Sequence, residues 1–258
     1  MVSTIPIVTR GDDAGSCVAA NRGVEEAAKF GVMRNASVMA CGPAFDDAAE
    51  RLRGIPGLCI GLHLTLAAEW DGITWGPLTD SPLLRDHRGV FPQSPAQLPR
   101  TPEAITAMLA EAQAQLDRMR SANLAPEYLD EHMGITSWAV PELREPLIAW
   151  AESEGLLTVY DIPSLPGEGD LRMRLIRYIE GGPYVYINHP AVDDDGEMRR
   201  MGNADYSGEQ IAMERDSDRR MWCDPRLKTA SLSGDIDNHK YEYRFVSYSE
   251  AIRGFSRL

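Results

Sequence analysis

Two adjacent carboxylates, Asp12 and Asp13, stand where an apolar run at residues 5–8 gives way to glycines and then to a helical pattern. Neighbouring side chains on an extended chain point to opposite sides, so one carboxylate can bind a cation while the other faces another part of the same site. An Asp here could also cap the helix that follows, but capping needs only one acid. Three further apolar runs end in or contain groups of the same kind: His63, the trio Asp130-Glu131-His132, and His189. One carboxylate and two neutral imidazoles make a site for a divalent cation, with positions left for water and substrate. Such a cation lowers the pKa of its bound water towards about 7. A free carboxylate beside it then accepts the proton. A second donor, for which His189 is placed, protonates the departing amine or alcohol. The set reads as metal-assisted hydrolysis. Taken singly, each residue has a plainer role: His63 as a core histidine, Glu131 as a solvated loop edge, His189-Pro190 as a strand end. Their co-occurrence at strand ends carries the reading. His87 and His239 fall in loops and receive no role.

The elements that must position these groups alternate along the chain. Strands are expected at 5–9, 35–41, 58–66, 128–130, 156–160, 184–188 and 243–247. Helices are expected at 18–30, ended by Gly31, and at 44–53, 102–123, 141–154, 170–180 and 207–222, with a short one at the C-terminus. Ile105, Met108, Leu109, Ala112, Leu116 and Met119 form the buried stripe of the longest helix. This alternation is the signature of a parallel α/β fold. About seven strand units are counted, one short of the eight of a (β/α) barrel, and in a parallel barrel the C-terminal strand ends share one face and would gather the distant residues. In the third strand Ile60, Leu62, Leu64 and Leu66 alternate with Gly61, His63 and Thr65, so His63 points inward and Gly61 leaves room beside it. Residues 67–101 differ in character, with Trp70, Trp75 and several prolines. A long segment without regular structure is usually functional or mobile. It follows the His63 strand and should cover whatever His63 serves. Trp70 and Trp75 are candidates to stack on a sugar ring, or equally to fix the loop to the body. No linker or repeat appears, so residues 1–258 read as one domain with an insertion at about 67–101.

Composition narrows the partners. The chain of 258 residues is 43% hydrophobic and 25% charged, with formal net charge -13 and a pI near 4.8. That sign repels phosphate backbones and anionic surfaces, so nucleic acid and membrane are not expected partners. No run approaches the roughly 18 apolar residues of a membrane span. Cys17, Cys41, Cys59 and Cys223 are scattered and form no C-x-x-C pair. No basic segment leads into a long apolar run at the N-terminus, so a cytoplasmic location is expected. A homodimer stays open.

Arg10-Gly11-Asp12-Asp13-Ala14-Gly15, Gly61-Leu62-His63-Leu64-Thr65-Leu66, Asp130-Glu131-His132 and Asn188-His189-Pro190 resemble, in order and spacing, the motifs of the YdjC-like carbohydrate deacetylases. That family includes chitooligosaccharide deacetylases and hopanoid-associated relatives. The resemblance implies a distorted (β/α) barrel that removes acetyl groups from N-acetylated sugars with one divalent ion, zinc or magnesium. It implies Asp13, His63 and His132 as metal ligands, Asp12 as general base and His189 as candidate acid. The chain departs from the family pattern at Arg10-Gly11, where Asn-Ala is usual. It departs again at Met133, Gly134 and Ile135, where many members have further histidines. Two other readings remain: a barrel metal hydrolase of phosphate esters or lactones, and a non-catalytic carbohydrate-binding relative.

Overall fold

The structure, a computed structural model, describes residues 2–175, 179–194, 196–228, 233–236 and 239–254. The chain opens with β1 (Val2–Ala14), then α1 (Val18–Phe30), β2 (Asn35–Val38), α2 (Phe45–Leu52) and β3 (Cys59–Leu64). After a long loop come α3 (Pro102–Ser121), β4 (Tyr128–Glu131), α4 (Ile135–Trp138), α5 (Arg144–Ser153) and β5 (Leu157–Thr158). The last part holds α6 (Leu171–Leu175), β6 (Tyr184–Asn188), α7 (Gly208–Trp222), β7 (Ser233–Ile236), β8 (His239–Val246) and α8 (Tyr248–Gly254). Of the helix expected at 170–180, residues 176–178 lie outside the described residues, and α6 is described over Leu171–Leu175. β7 has no counterpart in the sequence reading, whereas β8 contains most of the strand expected at 243–247 and begins at His239, which was expected in a loop.

Strands β2, β3, β4 and β5 pair in parallel succession from β1, and β6 and β8 also pair with β1 in parallel. Among the described residues seven strands thus run in one direction, and only β7 is antiparallel. Ile7 and Val8 pair with both β6 and β8, so those strands flank β1 on opposite sides. Arg10 and Gly11 pair with both β2 and β6, so β2 takes over the side that β8 vacates. The buried Asn35 closes this handover. Its Nδ2 donates to the carbonyls of Thr9 (3.0 Å) and Val246 (3.2 Å), and its Oδ1 accepts from the Tyr248 N–H (2.8 Å). The sheet curls into a half-barrel. Beyond β5 a single parallel bridge, Ser164 with Val185, connects the following segment to β6.

The loop at 67–101 is more ordered than its composition suggests. It buries Trp70, Ile73, Trp75, Leu84, Phe91 and Leu98 and forms two 3-10 turns, Pro82–Leu84 and Pro95–Gln97. Two polar residues of α3, absent from its expected apolar stripe, hold it down. Glu111 accepts from the N–H groups of Leu78 and Thr79 (both 2.9 Å) and from the Thr79 hydroxyl (2.7 Å). Gln115 pairs with both backbone groups of Thr65. Helical periodicity assigns such residues to solvent, yet here they satisfy the backbone of a segment that folds over them. Gly31 ends α1 with an extended φ of −104°, not as a left-handed C′ residue. It is glycine because a Cβ would press on the Ala27 and Trp222 carbonyls at 2.4 and 2.6 Å. Gly61 leaves room for the Tyr128 ring, 2.2 Å from where its Cβ would be.

Replacing Asn35 by Leu would take the side-chain partner from the Val246 carbonyl and the Tyr248 N–H, and leave the Thr9 carbonyl with the Arg34 N–H as its donor. Its cost is about 2–4 kcal/mol of stability, read as a lower urea midpoint with an unchanged slope.

Candidate metal centre

The end of β1 does not alternate regularly. The β1–β2 register shifts between Gly11 and Ala14, and Asp13 has a left-handed φ of 67°. The Asp13 carbonyl accepts from the Ser16 N–H and hydroxyl, which holds this turn. A bulge re-aims side chains, and here both Asp12 and Asp13 face the same cavity. The simple expectation of opposite directions is corrected by that irregularity.

Asp13 Oδ1 lies 3.4 Å from His63 Nε2 and 3.2 Å from His132 Nδ1. One donor atom from each of these three buried residues lies within 4.8 Å of the others. The far side of each imidazole is tied to a carboxylate. His63 Nδ1 meets Asp130 Oδ1 at 3.0 Å, and His132 Nε2 meets Glu69 Oε2 at 2.8 Å. In the neutral rings those contacts fix the N–H on the outer nitrogen and leave the inner lone pairs facing Asp13. Asp13 Oδ1 is buried without a hydrogen-bond partner, while its Oδ2 takes the Arg215 guanidinium at 2.8 Å. Three lone-pair donors converging with no proton between them fit a cation, and imidazoles oriented from behind by carboxylates are the usual support of one.

The charges agree. Of four carboxylates here, Asp12 and Asp130 meet the Arg10 guanidinium at 2.7 and 2.9 Å, Asp13 meets Arg215 at 2.8 Å, and Glu69 meets the His132 imidazole at 2.8 Å. With neutral imidazoles the cluster carries two uncompensated negative charges, which one divalent ion balances. Without an ion, protons take that place. Burial opposes charging His63, but Asp130 foremost, then Asp12 and Asp13, holds its pKa well above the usual value. Burial likewise opposes charging His132, which Glu69 and Asp13 push up to about 9. Burial would raise the Asp13 carboxyl, yet Arg215 and then the nearby histidines hold it well below the carboxylate range.

Asp12 is gripped from behind. Arg10 Nε and Nη2 donate to its two oxygens at 2.7 and 2.8 Å. His189, at the end of β6, faces the same cavity of about 620 Å³, and burial foremost lowers its pKa, keeping the ring neutral. Its backbone N–H donates to Asp218 Oδ2 at 3.1 Å. Trp70 lines the cavity but is only 6% exposed, with Arg215 above its ring at 5.9 Å. Trp75 is not in the wall. It is 3% exposed, donates to the Ala67 carbonyl, and meets the His132 ring edge-on at 5.8 Å. Glu131 is no solvated edge, for it accepts from Thr136 N–H and Oγ1 (both 2.6 Å) and from the Tyr160 hydroxyl (2.5 Å).

Sequence reasoning assigned no part to Arg10, Glu69 or Arg215 and left Asp130 without a role of its own. Arg10 and Asp130 stood inside the quoted motifs, and two residues of opposite charge flanking candidate groups were the available signal. Glu69 and Arg215 sit in a loop and on a polar helix face, where no local pattern marks them.

The fold and the cluster define a class: an α/β half-barrel with a carboxylate–imidazole centre at its strand ends. The model of the family described as YdjC-like protein matches residues 6–177, and the chain belongs to that family. It is 34% identical over 131 residues to a carbohydrate deacetylase of Geobacillus stearothermophilus, covering 48% of each chain. It is 28% identical over 172 residues to a chitooligosaccharide deacetylase of Escherichia fergusonii, covering 63% of this chain and 64% of that one. The chain thus spans about half to two thirds of the length of the curated relatives it matches. A crystal structure of a candidate cellobiose-phosphate cleavage protein from Enterococcus faecalis V583 shares the fold, with TM-score 0.68 and 19% identity over 88% of this chain and 93% of that one. Among the described residues no helix is long and apolar enough to cross a membrane.

The raised pKa of His132 gives a stability test. In chelator, its protonated form contributes stability that is fully present below about 6.5 and is lost as pH rises through about 9. Tm in EDTA therefore falls across that window, and His132→Gln flattens the fall.

Proposed function

We propose that this chain is a metal-dependent carbohydrate deacetylase that hydrolyses N-acetyl groups of a sugar. The convergence of Asp13 Oδ1, His63 Nε2 and His132 Nδ1, each imidazole backed by a carboxylate, is the observation that carries the reading. The names of the relatives supply the sugar and the acetyl group. In this reading Asp13, His63 and His132 hold one divalent ion, which supplies Lewis acidity to a carbonyl and to water. Asp12, oriented by Arg10, takes the proton of the attacking water. His189 faces the cavity as the group that passes a proton to the departing amine. Because burial favours its neutral form at rest, the proton it delivers is the one that Asp12 takes from the water, handed on within the same cavity. Arg215 holds the outer oxygen of Asp13 and so keeps the inner one turned to the imidazoles. The unit is taken as one domain, with the loop at 67–101 supplying Glu69 behind His132.

The cavity also limits the substrate. Its wall carries Glu131, Asp205, Glu214 and Asp218, and its one guanidinium, Arg215, is committed to Asp13. Among the described residues of the wall, a phosphate or carboxylate on the sugar finds no second guanidinium or ammonium to pair with beyond the bound ion. Tyr206, 50% exposed in the same wall, offers the stacking face that Trp75 does not.

Acetate release from N-acetylglucosamine oligomers is the direct test, and unchanged turnover after complete metal removal would sink the mechanism. Asp12→Asn should keep the metal and lose at least about 100-fold in rate, whereas His63→Ala should lose the metal. Neutral oligomers should surpass their 6-phosphates in kcat/KM, a preference that weakens as salt rises.

A further inference from the structure

A second group of potential ligands lies beside the first: Asp12, His63 and Asp130, all buried, each offering an atom within 4.8 Å of the others. It contains Asp12 and Asp130, two carboxylates that the first group leaves out. Such a pair, next to a first cation, is what a two-metal centre uses to hold its second ion. Here the pair is already occupied from within the chain. Arg10 reaches both: Nε and Nη2 donate to the two oxygens of Asp12 at 2.7 and 2.8 Å, and Nη1 lies 2.9 Å from Asp130 Oδ2. Nη1 also donates to the Tyr248 hydroxyl at 3.0 Å. Tyr248 and Arg10 are both buried, so solvent does not compete for these contacts.

We propose that the Arg10 guanidinium is the second cation of this centre, seated between Asp12 and Asp130 so that only one metal ion binds. The inference rests on Asp13, His63 and His132 being the ligands of that one ion. Two consequences follow from the geometry. The Asp130 carboxylate, neutralised by Arg10 on Oδ2, is free to orient His63 through Oδ1 rather than to ligate. Asp12, with both oxygens held by Arg10, stays outside the coordination sphere and remains a base. Metal number and the presence of a free base are thus set by one side chain, a positioning residue that touches neither substrate nor ion. A planar guanidinium suits the task because it meets one carboxylate with two parallel donors and still reaches a second.

The experiment counts ions. Wild type, Arg10→Gln and Arg10→Lys are stripped, titrated with Mn2+ at neutral pH by calorimetry and electron paramagnetic resonance, and checked for fold by circular dichroism. Mn2+ is chosen because carboxylate oxygens bind it well. Wild type should saturate at one Mn2+ per chain with an uncoupled signal. Arg10→Gln, which removes the charge, should take two, with a larger rise of Tm on Mn2+ than wild type shows. Arg10→Lys, which restores a cation, should return to one. Acetate release by Arg10→Gln should fall about 100-fold even as it binds more metal, because Asp12 becomes a ligand. A variant that folds only with Mn2+ and then holds two ions supports the proposal equally. One ion in folded Arg10→Gln at saturation overturns it, as does a second ion in the wild-type centre. No ion in wild type removes the ligand assignment itself, and this inference falls with it. One ion in every protein removes this inference alone.

Discussion

Several carboxylates buried around one point cannot stay ionised unless cations are buried with them. That constraint organises the site end of this molecule. Asp13 is held by Arg215, Asp12 and Asp130 by Arg10, and the remaining negative charge falls on the oxygen that faces two imidazole lone pairs. The guanidiniums do not share their carboxylates with solvent, and the imidazoles are fixed from behind by Asp130 and Glu69. The arrangement is incomplete by two positive charges, and protons or one divalent ion complete it.

The fold makes that concentration of charge affordable by placing it at strand ends. β1 is central: it carries both aspartates and Arg10, and it pairs with β2, β6 and β8. The same strand therefore fixes the position of His189 at the end of β6. β2 and β3 bring His63 alongside, and β4 brings Asp130 and His132. The His63↔Asp130 register sets the imidazole beside its supporting carboxylate directly across adjacent strands. Beyond β4 the chain turns sharply, with Met133 and Gly134 both left-handed. That turn sets His132 towards Asp13, and Glu131 braces it through Thr136 and Tyr160.

Two loops close the cavity and meet each other. The Asp71 N–H donates to the Gly202 carbonyl at 2.8 Å, and Asn203 Nδ2 donates to the Glu69 carbonyl at 3.1 Å. Glu69, which steadies His132, is thus itself tied to the segment that presents Asp205 and Tyr206 to the cavity. The two walls form a connected frame around the centre.

What the sequence determined by itself was periodic or local. Alternating strands and helices gave the parallel α/β class, because burial of one face imposes a period on the chain. The Asp-Asp pair, the inward phase of His63 and the Asp130–His132 trio were legible because each sits at or next to the end of an apolar strand. Tertiary structure alone decided which charges meet. Glu69, Arg10 and Arg215 are ordinary surface-type residues until distant segments bring carboxylates and imidazoles to them. Glu111 and Gln115 likewise break the apolar stripe of α3 only because a loop folds its backbone onto them. The bulge at Asp12–Asp13 and the burial of Trp75 also escaped the pattern, since a one-residue irregularity and a loop's own core leave no periodic trace. A sequence records which side chains a segment must bury, whereas ion pairing depends on the spacing of atoms far apart in the chain, which only the packed fold sets.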